Sequence, residues 1–172
     1  MAPAKGRSLE LNSVIKRATA ALLPLLLFLA LPAAAQPDDR IYYGTRAGMH
    51  LTTVAKEGIG TANAVIRVKL TPQDAKAYCE EYLVDESPDC VRRALAEIKI
   101  ADRVSGDCTK RTWTDMYGSR YAFLGLAKKS ADSIADYAIK DLATGDLLDG
   151  GPASGYDVQL TIFKQLCPGL AK

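Results

Sequence analysis

The stretch Ala64-Val65-Ile66-Arg67-Val68-Lys69-Leu70-Thr71-Pro72-Gln73-Asp74-Ala75-Lys76-Ala77-Tyr78-Cys79 changes its period in the middle. Through Leu70, apolar Ala64, Ile66, Val68 and Leu70 alternate with Arg67 and Lys69, the two-residue period of a half-buried strand. At Thr71-Pro72 the pattern turns helical. Thr71 can cap a helix, Pro72 suits the first helical position, and Asp74 falls in the first turn. Ala75, Tyr78, Cys79, Tyr82 and Leu83 then recur at the spacing of one helix face.

Working outward, both patterns recur in blocks. Upstream, Ile41 to Lys56 reads as extended, and the turn signal Glu57-Gly58-Ile59-Gly60 makes a hairpin with the 64–70 strand. Downstream, Ser87-Pro88 repeats the helix start, with Val91, Ala94, Leu95 and Ile98 as the apolar stripe. Two short helices joined at Asp85-Glu86 predict a helical hairpin. Ile100 to Leu126 reads as two strands about a turn at Asp115-Met116-Tyr117-Gly118, and Lys128 to Asp132 as a polar loop. Tyr137 to Leu142 and Leu147-Leu148 flank the turn Ala143-Thr144-Gly145-Asp146. After Gly150-Gly151-Pro152, Ser154 and Asp157 have the spacing of a capping box. Leu160, Phe163, Leu166 and Cys167 form the apolar face of a last helix, which Pro168-Gly169 ends. The expected fold is α+β: an antiparallel sheet, a two-helix hairpin and a C-terminal helix, stapled by disulfides.

The N-terminus has the layout of an export signal. Lys5, Arg7, Lys16 and Arg17 precede an uncharged, Leu- and Ala-rich run from Ala18 to Leu31, and Ala33-Ala34-Ala35 offers a small-residue cleavage site. The run is shorter than the roughly 20 residues of a membrane span, and Pro24 interrupts it. No cysteine follows it as a lipid attachment point before Cys79. The expected organisation is a signal peptide over 1–35 and one domain over 36–172, of a size that fits a single core. The whole chain holds 22 Lys and Arg against 20 Asp and Glu; the leader takes Lys5, Arg7, Lys16, Arg17 and Glu10, leaving 18 against 19 and a net charge of −1. The mild basicity of the full chain thus belongs to the leader. No basic stripe remains to follow a phosphate backbone, so nucleic acid is not an expected partner, nor is a membrane span after signal cleavage. The expected localisation is periplasmic or secreted.

An oxidising compartment sets the fate of Cys79, Cys90, Cys108 and Cys167. Four cysteines allow three pairings. Cys79 and Cys90 flank the link of the helical hairpin, which favours Cys79–Cys90. Cys108, in an expected strand, is left to meet Cys167 on the last helix. There is no Cys-x-x-Cys spacing and only one histidine, His50, which makes a poor ligand set. No metal and no cofactor are expected.

The same single histidine is a poor basis for Ser-His-Asp or Cys-His catalysis. His50 falls on the polar register of its strand and reads as a solvent-facing structural residue. Ser154 reads as a helix cap, because its surroundings lack the Gly-x-Ser-x-Gly elbow. No phosphate loop is present, and no catalytic residue is assigned. Paired carboxylates, the basis of glycoside hydrolysis, remain possible because acids are plentiful. The least ordinary segments are Cys108 to Gly125, which holds the only Trp, and Ile41 to Met49. Tyr42, Tyr43, Arg46, Trp113, Asp115, Tyr117 and Arg120 are the candidate ligand-binding residues, since aromatic faces beside hydrogen-bonding groups suit a glycan or a protein partner. The competing reading makes Trp113, Tyr121 and Phe123 inward strand residues, with Asp115 and Gly118 building the turn.

Tyr42-Tyr43-Gly44-Thr45-Arg46-Ala47-Gly48-Met49, the Trp113-Thr114-Asp115-x-Tyr117-Gly118 turn, and Ala153-Ser154-Gly155-Tyr156 ahead of Cys167-Pro168 resemble a family of small exported proteins of rhizobia and related alpha-proteobacteria. The resemblance covers most of residues 36–172 and implies export and a single domain; it carries no activity and no functional residues. Taken together, the sequence points to a non-enzymatic binding protein of the cell envelope or extracellular space, its partner a protein, a glycan or a cell-wall component. Two alternatives stand beside it: a small carboxylate-dependent hydrolase of envelope polysaccharide, and a structural envelope-integrity protein.

Overall fold

The computed structural model describes residues 39–128 and 133–172. The segment assigned as a signal peptide, 1–35, lies outside the described residues, as do residues 129–132 of the expected polar loop. The described chain is a mixed α+β fold built on one curled antiparallel sheet of seven strands. They are β1 (Ile41–Tyr42), β2 (His50–Glu57), β3 (Ala64–Lys69), β4 (Arg103–Asp107), β5 (Thr112–Thr114), β6 (Arg120–Leu126) and β7 (Tyr137–Asp141). Their order in the sheet is their order in the chain. The helices are α1 (Pro72–Ala77), which continues as a π-helix over Tyr78–Leu83, α2 (Pro88–Glu97) and α3 (Tyr156–Leu166).

Strand alternation picks out the inner face of the sheet. Ala64, Ile66 and Val68 of β3, Val104 of β4, Trp113 of β5, Phe123 of β6 and Ile139 of β7 are all buried. α3 lies against this face with Val158, Ile162, Phe163 and Leu166. Phe163 is the centre of the contact: its ring stacks on Phe123 at 4.4 Å and tilts against Trp113 at 5.0 Å. The inward face of α3 is turned by one residue from the expected stripe. Leu160 is only partly buried, and Gln159 takes the inward place, where its amide meets Trp113 and Asp115.

Further differences from the sequence reading have local causes. Ile41 to Lys56 is broken into β1 and β2 because the chain turns tightly through Gly44 and Gly48; Tyr43 N–H donates to the Met49 carbonyl at 3.1 Å. Ile100 to Leu126 holds three strands, because a turn after Asp107, anchored by the Asp107 carboxylate, precedes Trp113. Cys108 lies in that turn rather than in a strand. Ser154 does not cap α3: the cap is Gly155 at φ +72°, and the Ser154 hydroxyl donates back to the Gly151 carbonyl.

His50 is the clearest correction. It is buried, as is its neighbour Leu51 on the opposite face of β2. The outer face is not solvent at this corner, because α1 covers it. The buried Asp74 carboxylate accepts from Thr71 N–H at 2.8 Å, Thr71 Oγ1 at 2.7 Å, Thr52 N–H at 3.2 Å and Thr52 Oγ1 at 3.0 Å, and lies 3.5 Å from His50 Nε2. One side chain therefore completes the cap of α1 and fastens it to β2. The helical excursion between β3 and β4 has its own small core of Ala75, Cys79, Cys90 and Ala94.

Two disulfides close the structure. Cys79–Cys90 spans 11 residues across the helical excursion, with Cα atoms 6.1 Å apart. Cys108–Cys167 spans 59 residues and ties the end of α3 to the turn after β4, with Cα atoms 5.4 Å apart. A longer closed loop removes more entropy from the unfolded chain: about 4 kcal/mol for the long loop and about 3 for the short one. In urea titrations of the folded chain, Cys108→Ser with Cys167→Ser should lower the unfolding free energy more than Cys79→Ser with Cys90→Ser. Equal losses would mean that the long bridge does not pin α3. Replacing Asp74 by Ala should cost about 3 kcal/mol in the same measurement, because it strands buried donors on both α1 and β2.

Candidate functional site

The loop between β1 and β2 is shaped by what it touches. Gly48 has φ +72°, and a Cβ there would lie 2.3 Å from the Ala77 carbonyl oxygen of α1. Only glycine allows this approach. The loop is pressed onto α1 at Gly48, while Thr45, Arg46 and Ala47 stand out into solvent. The outer part of the loop faces the start of α3 across a groove of about 470 Å³. Tyr42, Thr45, Arg46, Asp157 and Thr161 supply its chemistry, and Pro152 and Val158 line its floor.

A buried polar chain holds the two sides in place. Trp113 Nε1–H donates to Gln159 Oε1 at 3.0 Å, and Gln159 Nε2–H donates to Asp115 Oδ2 at 3.0 Å. Asp115 Oδ1 in turn accepts the N–H groups of Tyr117 at 2.9 Å and Ser119 at 3.0 Å. The Tyr117 hydroxyl donates to the Tyr43 carbonyl at 2.8 Å. The path runs from α3 through the 115–119 turn to the β1–β2 loop, so the groove is framed by groups with satisfied hydrogen bonds.

The seven candidate residues thus separate by role. Tyr42 and Arg46 line the groove. Trp113 and Asp115 are buried in the polar chain that supports it, and Tyr43 is buried beneath the loop. Tyr117 and Arg120 share a second surface pocket of about 390 Å³ with Leu142 and Ala143. For Trp113 the inward-strand reading describes its position, and Asp115 builds the turn. Sequence reasoning missed Asp157, Thr161 and Gln159. Gln159 had a legible signal: it is a polar residue three positions after Tyr156 and four before Phe163, on a stripe whose other members are apolar.

Burial shifts several phenols. Tyr117 and Tyr121 are raised above the usual tyrosine range, first by desolvation and then by the Asp115 carboxylate. Tyr43 is raised further, by burial first and then by Tyr78, Tyr117 and Asp74. Its hydroxyl has no hydrogen-bond partner among the described residues. Among the described residues no group of three His, Cys, Asp or Glu side chains could hold a metal, and no helix is long and apolar enough to cross a membrane. Comparison of the chain with protein-family models, with curated proteins and with solved structures found no match.

Tyr43 gives the pH dependence a sign. A phenol whose folded pKa lies above its unfolded value of about 10 keeps its full contribution below pH 10, and loses it as pH rises further and the unfolded chain sheds the proton first. Thermal melts should therefore show stability falling above about pH 10. Tyr43→Phe should flatten that fall and leave stability at pH 7 unchanged or higher, since the hydroxyl it removes has no partner. A marked loss of stability at pH 7 would show that this hydroxyl is satisfied in solution.

Proposed function

We propose that this chain is an exported, non-enzymatic binding protein that holds part of an envelope glycan or cell-wall component in the groove between the β1–β2 loop and α3. The observation that carries this reading is the composition of the groove: the Tyr42 ring, the Arg46 guanidinium, the Asp157 carboxylate and the Thr45 and Thr161 hydroxyls around one concavity. An aromatic ring beside donors and acceptors of both charges suits a hydroxyl-rich ligand, with the ring meeting its apolar face and the carboxylate accepting from its hydroxyls. Export is supported by the leader-like N-terminal sequence and by the two disulfides, bonds that persist in oxidising compartments. In this reading the two helices of the excursion form an antiparallel hairpin, clamped by Cys79–Cys90, that backs the loop through Gly48.

The hydrolase alternative requires two carboxylates facing one cleft. Among the described residues, the pockets that hold a carboxylate take Asp107, Asp157, Asp149 and Asp102 one apiece, and none brings two together. That alternative therefore draws no support from them.

Co-sedimentation of the purified chain with isolated envelope polysaccharide tests the proposal. Arg46→Ala and Asp157→Ala should each weaken binding about tenfold, the cost of one or two hydrogen bonds to a charged group. Both positions are exposed, so circular dichroism should be unchanged. Binding that is the same in the parent and both variants would remove this groove as the site.

A further inference from the structure

The far end of the sheet carries an apolar surface unrelated to the ligand groove. Leu124 and Leu126 of β6 are 55% and 81% exposed, and Leu147, bridged to Lys140 of β7, is 58% exposed. These three leucines line a groove of about 470 Å³ together with Ala138 and, on its polar side, Lys128 and Asp149. The inner side of the same strands is already filled, because Phe123 and Ile139 belong to the core around α3.

Area and charge both favour a second copy of this chain. A leucine-sized side chain offers on the order of 100 Å² of apolar surface. At the exposures above, the three leucines bring roughly 190 Å² per copy, or roughly 390 Å² for a pair. The smaller stable interfaces bury about 1,200 Å² in total, a little over half of it apolar. The three leucines alone supply more than half of that share. Lys128 and Asp149 have opposite charges and lie on the same groove, and among the described residues neither forms an ion pair. A two-fold contact makes every pairing twice, so one copy's Lys128 can meet the other's Asp149 and the reverse.

We infer that this chain forms a two-fold dimer through the Leu124–Leu126–Leu147 groove, flanked by reciprocal Lys128–Asp149 pairs. The interface leaves the β1–β2 loop and α3 groove open, so its failure would not bear on the ligand site. Sedimentation velocity of the full purified chain, from about 1 to about 100 μM, should show a monomer passing to a dimer. Leu126→Asp should raise the dissociation constant at least about tenfold, and Lys128→Glu should raise it less. Val54→Asp, at another well-exposed apolar site, on β2, should leave it unchanged. The proposal is overturned by a chain that stays monomeric at the top of the range, whether or not it floats with anionic lipid vesicles. It is equally overturned by a dimer insensitive to Leu126→Asp, by one that Val54→Asp weakens as much, or by assembly beyond two copies.

Discussion

The main core of this fold is arranged around one aromatic insertion, Phe163 between Phe123 and Trp113. An eleven-residue helix is only about 16 Å long. A flat sheet of seven strands, spaced about 4.8 Å apart, would overhang it on both sides. The inner residues of the outer strands can reach the helix only if the sheet curls. The register shifts at Thr53/Ala55 in β2 and Phe123/Gly125 in β6 are the kind of irregularity that bends a strand and increases its twist. Curling brings the 115–119 turn over the β1–β2 loop, and Tyr117 can then reach Tyr43 across 74 residues of sequence. The groove between the β1–β2 loop and α3 is thus a by-product of how the core is filled.

Two buried polar groups turn that packing into a defined geometry. Asp74 and Asp115 each anchor a turn through backbone N–H groups, and each also reaches another element: Asp74 to β2 and Asp115 to α3. A buried carboxylate is tolerated only when its lone pairs are used, and these two use them. Their contacts are also directional, as apolar packing is not. They fix where the β1–β2 loop sits relative to α1 and where the 115–119 turn sits relative to α3. The groove between loop and helix inherits its shape from them.

Much of the architecture was legible in local pattern. The 64–70 alternation, the Thr71-Pro72 and Ser87-Pro88 helix starts and the antiparallel meander follow from side-chain period and turn chemistry, signals that act over a few residues. The cysteine pairs were legible too, because a short helical link brings Cys79 near Cys90 and leaves Cys108 to Cys167. What escaped was set by tertiary cover. Alternation placed His50 and Leu51 on opposite faces of β2, but no local signal shows that α1 lies over the His50 face. The candidate aromatic set mixed groove residues with frame residues for the same reason. Trp113 and Tyr42 look alike in sequence, and only the position of α3 puts one beneath the surface and the other at its edge. Asp157 and Thr161 were hidden because their helix faces the loop only after the sheet has curled.

The placement of α3 after all seven strands has a consequence for the order in which the fold closes. Each strand of the meander can pair with the one before it as soon as it is made. None can cover its inner face until Tyr156–Leu166 arrives, and the bond from Cys108 must wait for Cys167. Before α3 the sheet has no cover on its inner face, although the helical excursion between β3 and β4 already has its own small core. The last helix therefore decides when the main core closes: the meander can pair strand by strand, but the cover of its apolar face and the long disulfide are completed together.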